Sequence, residues 1–163
     1  MCTGSAPSGI EIVDRSSFTM VDSFSVGTRA VMSLAVSPDQ QTLYVADYYN
    51  GEVALYSAAG ASLGSVSVTT PRDMALSADG GSLWVAAGSD IVEIDTATKT
   101  AVNTIPNVGD TMLSVTLSPD GSTLAVGASI SGGAAVSFYD TATATRYART
   151  VAVHPTTTAA YGD

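Results

Sequence analysis

Residues 37–47 read Ser-Pro-Asp-Gln-Gln-Thr-Leu-Tyr-Val-Ala-Asp (SPDQQTLYVAD), and this stretch decides the fold. Pro38 presets the first turn torsion, and Asp39 brings a short side chain able to bond nearby backbone amides. The run that follows is rich in residues suited to a pleated, half-buried surface. The same text returns as SADGGSLWVAA at 77–87 and SPDGSTLAVGA at 118–128. Ser37, Ser77 and Ser118 are thus spaced by 40 and 41 residues. A degraded copy, VHPTTTAAYGD, occupies 153–163, with His154-Pro155 in the Ser-Pro position.

A second motif lies between the copies of the first. VEIDTATKTAVNTI at 92–105 matches SFYDTATATRYART at 137–150 and EIVDRSSFTMVDSF at 11–24, and more loosely ALYSAAGASLGSV at 54–66. Its pivots are Asp14, Ser57, Asp95 and Asp140. Each motif predicts a β-hairpin, because apolar residues alternate into and out of a turn whose short oxygen-bearing side chains satisfy local backbone groups. Two hairpins in about forty residues give four strands, the size of a propeller blade. Helical solenoids would need an apolar period of 3.6, which no useful window carries. An immunoglobulin-like sandwich would not repeat a pair of hairpins.

The copies SPDGSTLAV and LYVAD, followed by IDTATKTAVNTI, resemble the repeats of the surface-layer-protein or YVTN-type β-propeller family from about residue 10 onward. The resemblance implies an all-β propeller of four-stranded blades and an extracellular or cell-surface setting. It implies little about activity, since the shared residues are turn and packing residues. The Gly-His and Trp-Asp signatures of WD repeats are absent.

The reading gives one propeller domain over 1–163. An outer hairpin at 10–26 comes first, then whole blades at 30–68, 72–106 and 111–150, then an inner hairpin at 150–161. The two terminal hairpins are complementary halves of one blade, so the chain carries four repeats, circularly shifted. Open sheet edges are unpaired hydrogen-bonding liabilities, which favours a blade completed from both termini. Three outcomes stay open: a four-bladed ring from one chain, an eight-bladed ring from a homodimer exchanging terminal hairpins, and a fragment of something longer. Small side chains suit the gentler wedge of the larger ring and favour the dimer.

Composition narrows the function. The chain has 163 residues, 45% hydrophobic but only 7% aromatic and 13% charged, with a net charge of −9. Lys99 is the single lysine beside five arginines. That leaves no basic patch to displace counterions from phosphate, which argues against nucleic acid and against anionic membrane surfaces. The lone cysteine, Cys2, cannot form an intramolecular disulfide. Neither a signal peptide nor eighteen consecutive apolar residues is visible, so the expectation is a chain without membrane insertion. A targeting segment of a longer precursor would lie outside this sequence.

The search for chemistry is mostly negative. His154, the only histidine, occupies a turn slot before Pro155 and is the sole base a Ser-His-Asp triad could use. Zinc-type ligand sets are missing. Gly80-Gly81 and Gly132-Gly133 read as turn residues rather than a phosphate cradle. A hard cation such as Ca2+ is the remaining chemical idea, with oxygens from Asp47, Asp73, Asp90 and Asp110, all predicted in loops on one rim. Propeller-type lactonases hold such a cation in the central channel, which makes a cation-dependent hydrolase the enzyme alternative. Glu11, Glu52 and Glu93 recur at one repeat position and read as structural.

Recognition is favoured over catalysis, through loops gathered at one rim of a rigid scaffold. Tyr48-Tyr49-Asn50 stands out in so aromatic-poor a chain, and Arg29 and Arg72 fall at equivalent positions before their innermost strands. Tyrosine and arginine favour binding hot spots, and aromatic faces stack on sugars. One of the two tyrosines is expected to pack against the next blade, and Trp84, aligned with Tyr44 and Ala125, between blades. The expectation is a non-catalytic module for protein or glycan recognition or for structural assembly.

Overall fold

The computed structural model describes residues 9–27, 30–106 and 111–153. These residues form fourteen strands and no helix, so none of the described segments is a helix able to cross a membrane. A two-stranded hairpin, β1 (Gly9–Val13) with β2 (Met20–Ser25), precedes three antiparallel four-stranded sheets. The first sheet runs β3 (Val31–Val36), β4 (Thr42–Asp47), β5 (Glu52–Ser57) and β6 (Ser62–Ser67). The second runs β7 (Pro71–Leu76), β8 (Ser82–Ala87), β9 (Asp90–Asp95) and β10 (Thr100–Pro106). The third runs β11 (Thr111–Leu117), β12 (Thr123–Ile130), β13 (Gly133–Asp140) and β14 (Thr145–Val153). Within each sheet neighbours in sequence are neighbours in space, as in a propeller blade.

The turns repeat in atomic detail. Ser37, Ser77 and Ser118 each donate their hydroxyl to the aspartate two residues on and accept from the amide five residues on, at 2.9 Å. The residue three after the serine is left-handed in each of these three turns, with φ of 60° at Gln40, 77° at Gly80 and 74° at Gly121. Glycine adopts that torsion without strain, whereas Gln40 carries a Cβ into it. Gly80 meets a second demand, since a Cβ there would sit 2.8 Å from Pro38 of the preceding blade. In the other turn family, Asp95 and Asp140 accept both the amide and the hydroxyl of the threonine three residues on, within 2.7–2.8 Å, and Asp14 does the same with Ser17.

Each sheet is apolar on both faces, and alternate residues of one strand enter different cores. Leu43, Val45 and Ala54 face the β1–β2 hairpin and meet Ile10 and Val26. Tyr44, Ala46, Val53 and Leu55 face the second sheet and meet Met74, Leu83, Val85 and Ile94. Trp84, Ala86 and Ile91 face the third and meet Met112, Val115, Leu124 and Tyr139. Trp84 and Tyr44 therefore pack between blades, as their shared repeat position predicts. Each large aliphatic so buried contributes about 1.5–3 kcal/mol. The three cores join hairpin to first, second and third sheet in series, and no core among the described residues joins the third sheet back to the hairpin.

A carboxylate ties the inner strands together. β3, β7 and β11 each carry a register shift, between Val31 and Leu34, Pro71 and Asp73, and Met112 and Ser114, beside the position four residues before the turn serine that holds Ser33, Asp73 and Ser114. Asp73 accepts the Ser33 hydroxyl at 2.9 Å and its neighbour Met74's amide at 2.9 Å on one oxygen. Its other oxygen accepts the Val115 amide at 3.0 Å, so one side chain links all three sheets.

The expected inner hairpin over 150–161 is corrected in its first strand. Thr150 to Val153 belong to β14, paired with Val136 to Gly133. Asp140 precedes His154 by 14 residues, whereas Asp95 precedes Ser118 by 23, which leaves one strand too few for both an outer and an inner strand. β13 is eight residues long and offers ladder partners as far as Gly133, so the available residues extend the existing sheet. Residues 154–161 lie outside the described residues.

Three outcomes follow from the turns and the staple. Asp14 is held down to about 2 by the Ser16 hydroxyl and the Ser17 amide. Asp39, Asp79 and Asp120 are lowered chiefly by their serine hydroxyls, Asp95 by the Thr98 amide and Asp140 by the Thr143 hydroxyl. A carboxylate lowered by folding stabilises fully above its unfolded value of 3.8 and loses that contribution as pH falls through its folded value. Melting temperature should accordingly be level from pH 7 to 5 and drop between about pH 4 and 2, which calorimetry across that range reads directly. Gln40→Gly should raise stability by about 0.5–1 kcal/mol in urea unfolding, by removing a Cβ from a left-handed torsion. Asp73→Ala should cost about 2–3 kcal/mol, since three donors lose a charged acceptor and the Val115 amide is left without one.

Candidate functional site

The β4–β5 turn builds the rim from a buried carboxylate outward. Asp47, at the end of β4, accepts the Asn50 amide at 3.0 Å and the Asn50 Nδ2 at 2.7 Å. The Gly51 amide donates to the Asp47 carbonyl at 3.1 Å, with Gly51 left-handed. This closed loop fixes the two residues it carries. Tyr48 is half-buried, and its amide donates to the Ala30 carbonyl at 3.3 Å. Tyr49 projects outward and is 72% exposed.

Arg72 reaches across from the second blade. Its guanidinium carbon lies 5.0 Å from the centroid of the Tyr48 ring, and Nη2 donates to the Tyr48 hydroxyl at 3.4 Å. A cation over an aromatic face contributes about 0.5–1 kcal/mol at such a partly exposed site. Arg72 Nε is enclosed and meets no acceptor among the described residues. Tyr48 and Tyr49 meet edge to face, with centroids 5.6 Å apart and planes at 84°. Arginine, inner tyrosine and outer tyrosine thus form one stack, and Tyr48 is the member packed against the next blade.

The sequence-predicted residues are brought together only in part. Tyr48, Tyr49 and Arg72 form the stack, and Asn50 sits beside it with its amide turned to Asp47. Arg29 and Asp110 lie outside the described residues. Asp47, Asp73 and Asp90 were expected in loops but fall within strands β4, β7 and β9, and Arg72 lies in β7 rather than before it. The pairings Pro71↔Ala87 and Asp47↔Glu52 carry the ladders that far. Asp47 and Asp73 already spend their oxygens on internal donors, and Asp90 accepts the Ser89 hydroxyl at 3.2 Å. Among the described residues no three His, Cys, Asp or Glu side chains are grouped so as to hold a metal.

Sequence reasoning missed the bridging role of Asp73. The available signal was a charged residue at a repeat position that is serine in the two other copies. It also missed a concavity of about 420 Å³ at the opposite end, between second and third sheets, lined by Asp79, Trp84, Glu93 and Asp120. Its carboxylates are engaged locally: Asp79 and Asp120 close their turns, and Glu93 accepts the Ser82 hydroxyl at 2.9 Å.

No protein-family model matches the chain, and no curated protein matches it. Among solved structures, hydrazine synthase from Kuenenia stuttgartiensis superposes with a TM-score of 0.82 at 24% identity, over 89% of this chain and 43% of that one. This chain therefore spans less than half the length of that neighbour. With 952 solved chains matching, the likeness marks a common fold and carries no activity with it. What the comparisons establish is an all-β, propeller-like array of repeated antiparallel sheets.

Proposed function

We propose that this protein is a non-catalytic propeller module of the YVTN-like type that recognises a protein or glycan through the rim bearing Tyr49. One observation carries the reading: a tyrosine 72% exposed rests edge to face on Tyr48 of its own loop, and that inner ring is itself covered by a guanidinium of the neighbouring blade. An exposed aromatic normally costs ordering entropy when it captures a ligand, and prior fixation lowers that cost. A planar face beside a cation suits both a sugar ring and a protein hot spot. The resemblance to surface-layer repeats supports an extracellular or cell-surface setting. The lactonase-like alternative would need cation ligands, and the carboxylates of Asp47 and Asp73 are turned to internal donors.

Labelled protein applied to an array of surface oligosaccharides, and to cell-surface extracts under cross-linking, tests the proposal. Tyr49→Ala should weaken whatever is captured by about tenfold or more, equivalent to roughly 1.4 kcal/mol, while Tyr49→Phe retains most of it. Capture unchanged by Tyr49→Ala would remove the rim from consideration. A calcium-dependent rise in melting temperature would instead favour the cation-dependent alternative.

A further inference from the structure

One face between neighbouring sheets is built unlike its counterpart. Trp84 aligns with Tyr44, seven residues after the turn serine, and Glu93 with Ile12, Leu55 and Phe138, two residues before the pivot of the second turn. Counted from those pivots, Glu93 shares no position with Glu11 or Glu52, which corrects the expectation of one recurring structural site. Between the first and second sheets the pair is Tyr44 and Leu55, both buried, and the Tyr44 hydroxyl has the Thr96 side chain as its hydrogen-bonding partner. Between the second and third sheets the pair is Trp84 and Glu93, opposite each other on β8 and β9. A charged side chain thus stands where the other copies carry an apolar one, and the burial that Leu55 gains is forgone.

Here lies the concavity of about 420 Å³, within the range of about 300–1,000 Å³ usual for small-ligand sites, with Asp79, Ser82, Trp84, Glu93, Asp120 and Thr141 in its wall. Among the described residues no lysine or arginine lines it, so three carboxylates meet there without a counter-charge. Asp79 and Asp120 are held below the usual carboxylate range chiefly by their serine hydroxyls, which keeps them ionised at neutral pH. Asp79 spends only Oδ1 on its turn, and Glu93 only Oε1 on Ser82, so no described donor reaches Asp79 Oδ2 or Glu93 Oε2. Trp84 is an independent mark of a ligand. It is 3% exposed, and its indole N–H donates to no described residue. Among the described residues the enclosed polar atoms without a partner are Arg72 Nε and Ser137 Oγ. The Trp84 N–H is therefore neither bonded nor sealed, and it opens on the concavity that its ring lines.

We propose that this concavity binds a guanidinium group, on a ligand that also presents an oxygen acceptor to the Trp84 indole. Arginine combines the two, in its side chain and its carbonyl, whether free or within a peptide. A planar guanidinium carries a permanent charge and several N–H donors, so it satisfies the open oxygens of Asp79 and Glu93 together, while Asp120 adds to the field. A neutral sugar would accept from the indole but leave three carboxylates without compensation. A bare metal ion has no use for the indole N–H, and the described carboxylates are not grouped to hold one. The site lies at the end of the sheets opposite Tyr49 and does not rest on the rim's role in recognition.

Trp84 is the only tryptophan, so its emission reports on the site directly. Titration with acetylarginine methylamide, and separately with a glycine-flanked arginine tripeptide, should shift that emission to saturation. The citrulline analogue of the amide, alike in shape but uncharged, should not. Saturation by both probes points to a free arginine derivative, and by the tripeptide alone to a segment of a partner protein; either supports the proposal. Glu93→Gln should weaken binding about fivefold or more, and added salt should weaken it further. Glu93→Leu, which installs the residue found in the first sheet, should abolish it, with melting temperature as the check that each variant is folded. No saturable response to either arginine probe overturns the proposal. So does an equal response to citrulline, or binding unmoved by both substitutions at Glu93.

Discussion

A sheet that is oily on both faces has no stable existence alone, and everything in this molecule follows from that. β4 and β8 are buried along almost their whole length, with Val45 and Ala46, or Val85 and Ala86, shut away in opposite directions. Such a sheet must be covered twice, and its neighbour inherits the same requirement. Repetition is thus a solution to burial, and the loops are what the stack leaves outside.

Asp73 qualifies that picture. The inner strands converge where bulges interrupt their ladders, and an interrupted ladder leaves backbone groups wanting partners. A carboxylate with several acceptor sites satisfies donors from three sheets at once, where a serine would reach fewer. The middle blade carries the aspartate and its two neighbours carry serines, so the charge is placed where it has sheets on both sides.

The strands and turns were legible because local chemistry recurs from copy to copy. Asp14, Asp95 and Asp140 each cap a turn with one oxygen, and Phe18, Lys99 and Ala144 all take the left-handed torsion four residues later, although nothing about their side chains favours it. What was not legible depends on contacts between repeats. That Tyr48 would lie under Arg72, leaving Tyr49 free, requires knowing which side of the loop faces the next blade. The assignment of 150–153 turned on competition between an outer and an inner strand, and the length of β13 decided it. The loop carboxylates looked available for a cation because sequence does not reveal that Asn50, Ser33 and Val115 had already reached them.

The serial arrangement of the three cores has a kinetic meaning. Among the described residues every strand pair is a neighbour in sequence, so the hairpins assemble with little loop closure, and each completed sheet becomes a template for the next. Growth can start at any interior unit and spread outward like a one-dimensional zipper. The outermost described pieces, which meet a core on one side only among the described residues, are the last to lock and the first to fray. Local unfolding in this protein should therefore travel inward from its ends, with the second sheet, clamped between two cores, as the final part to let go.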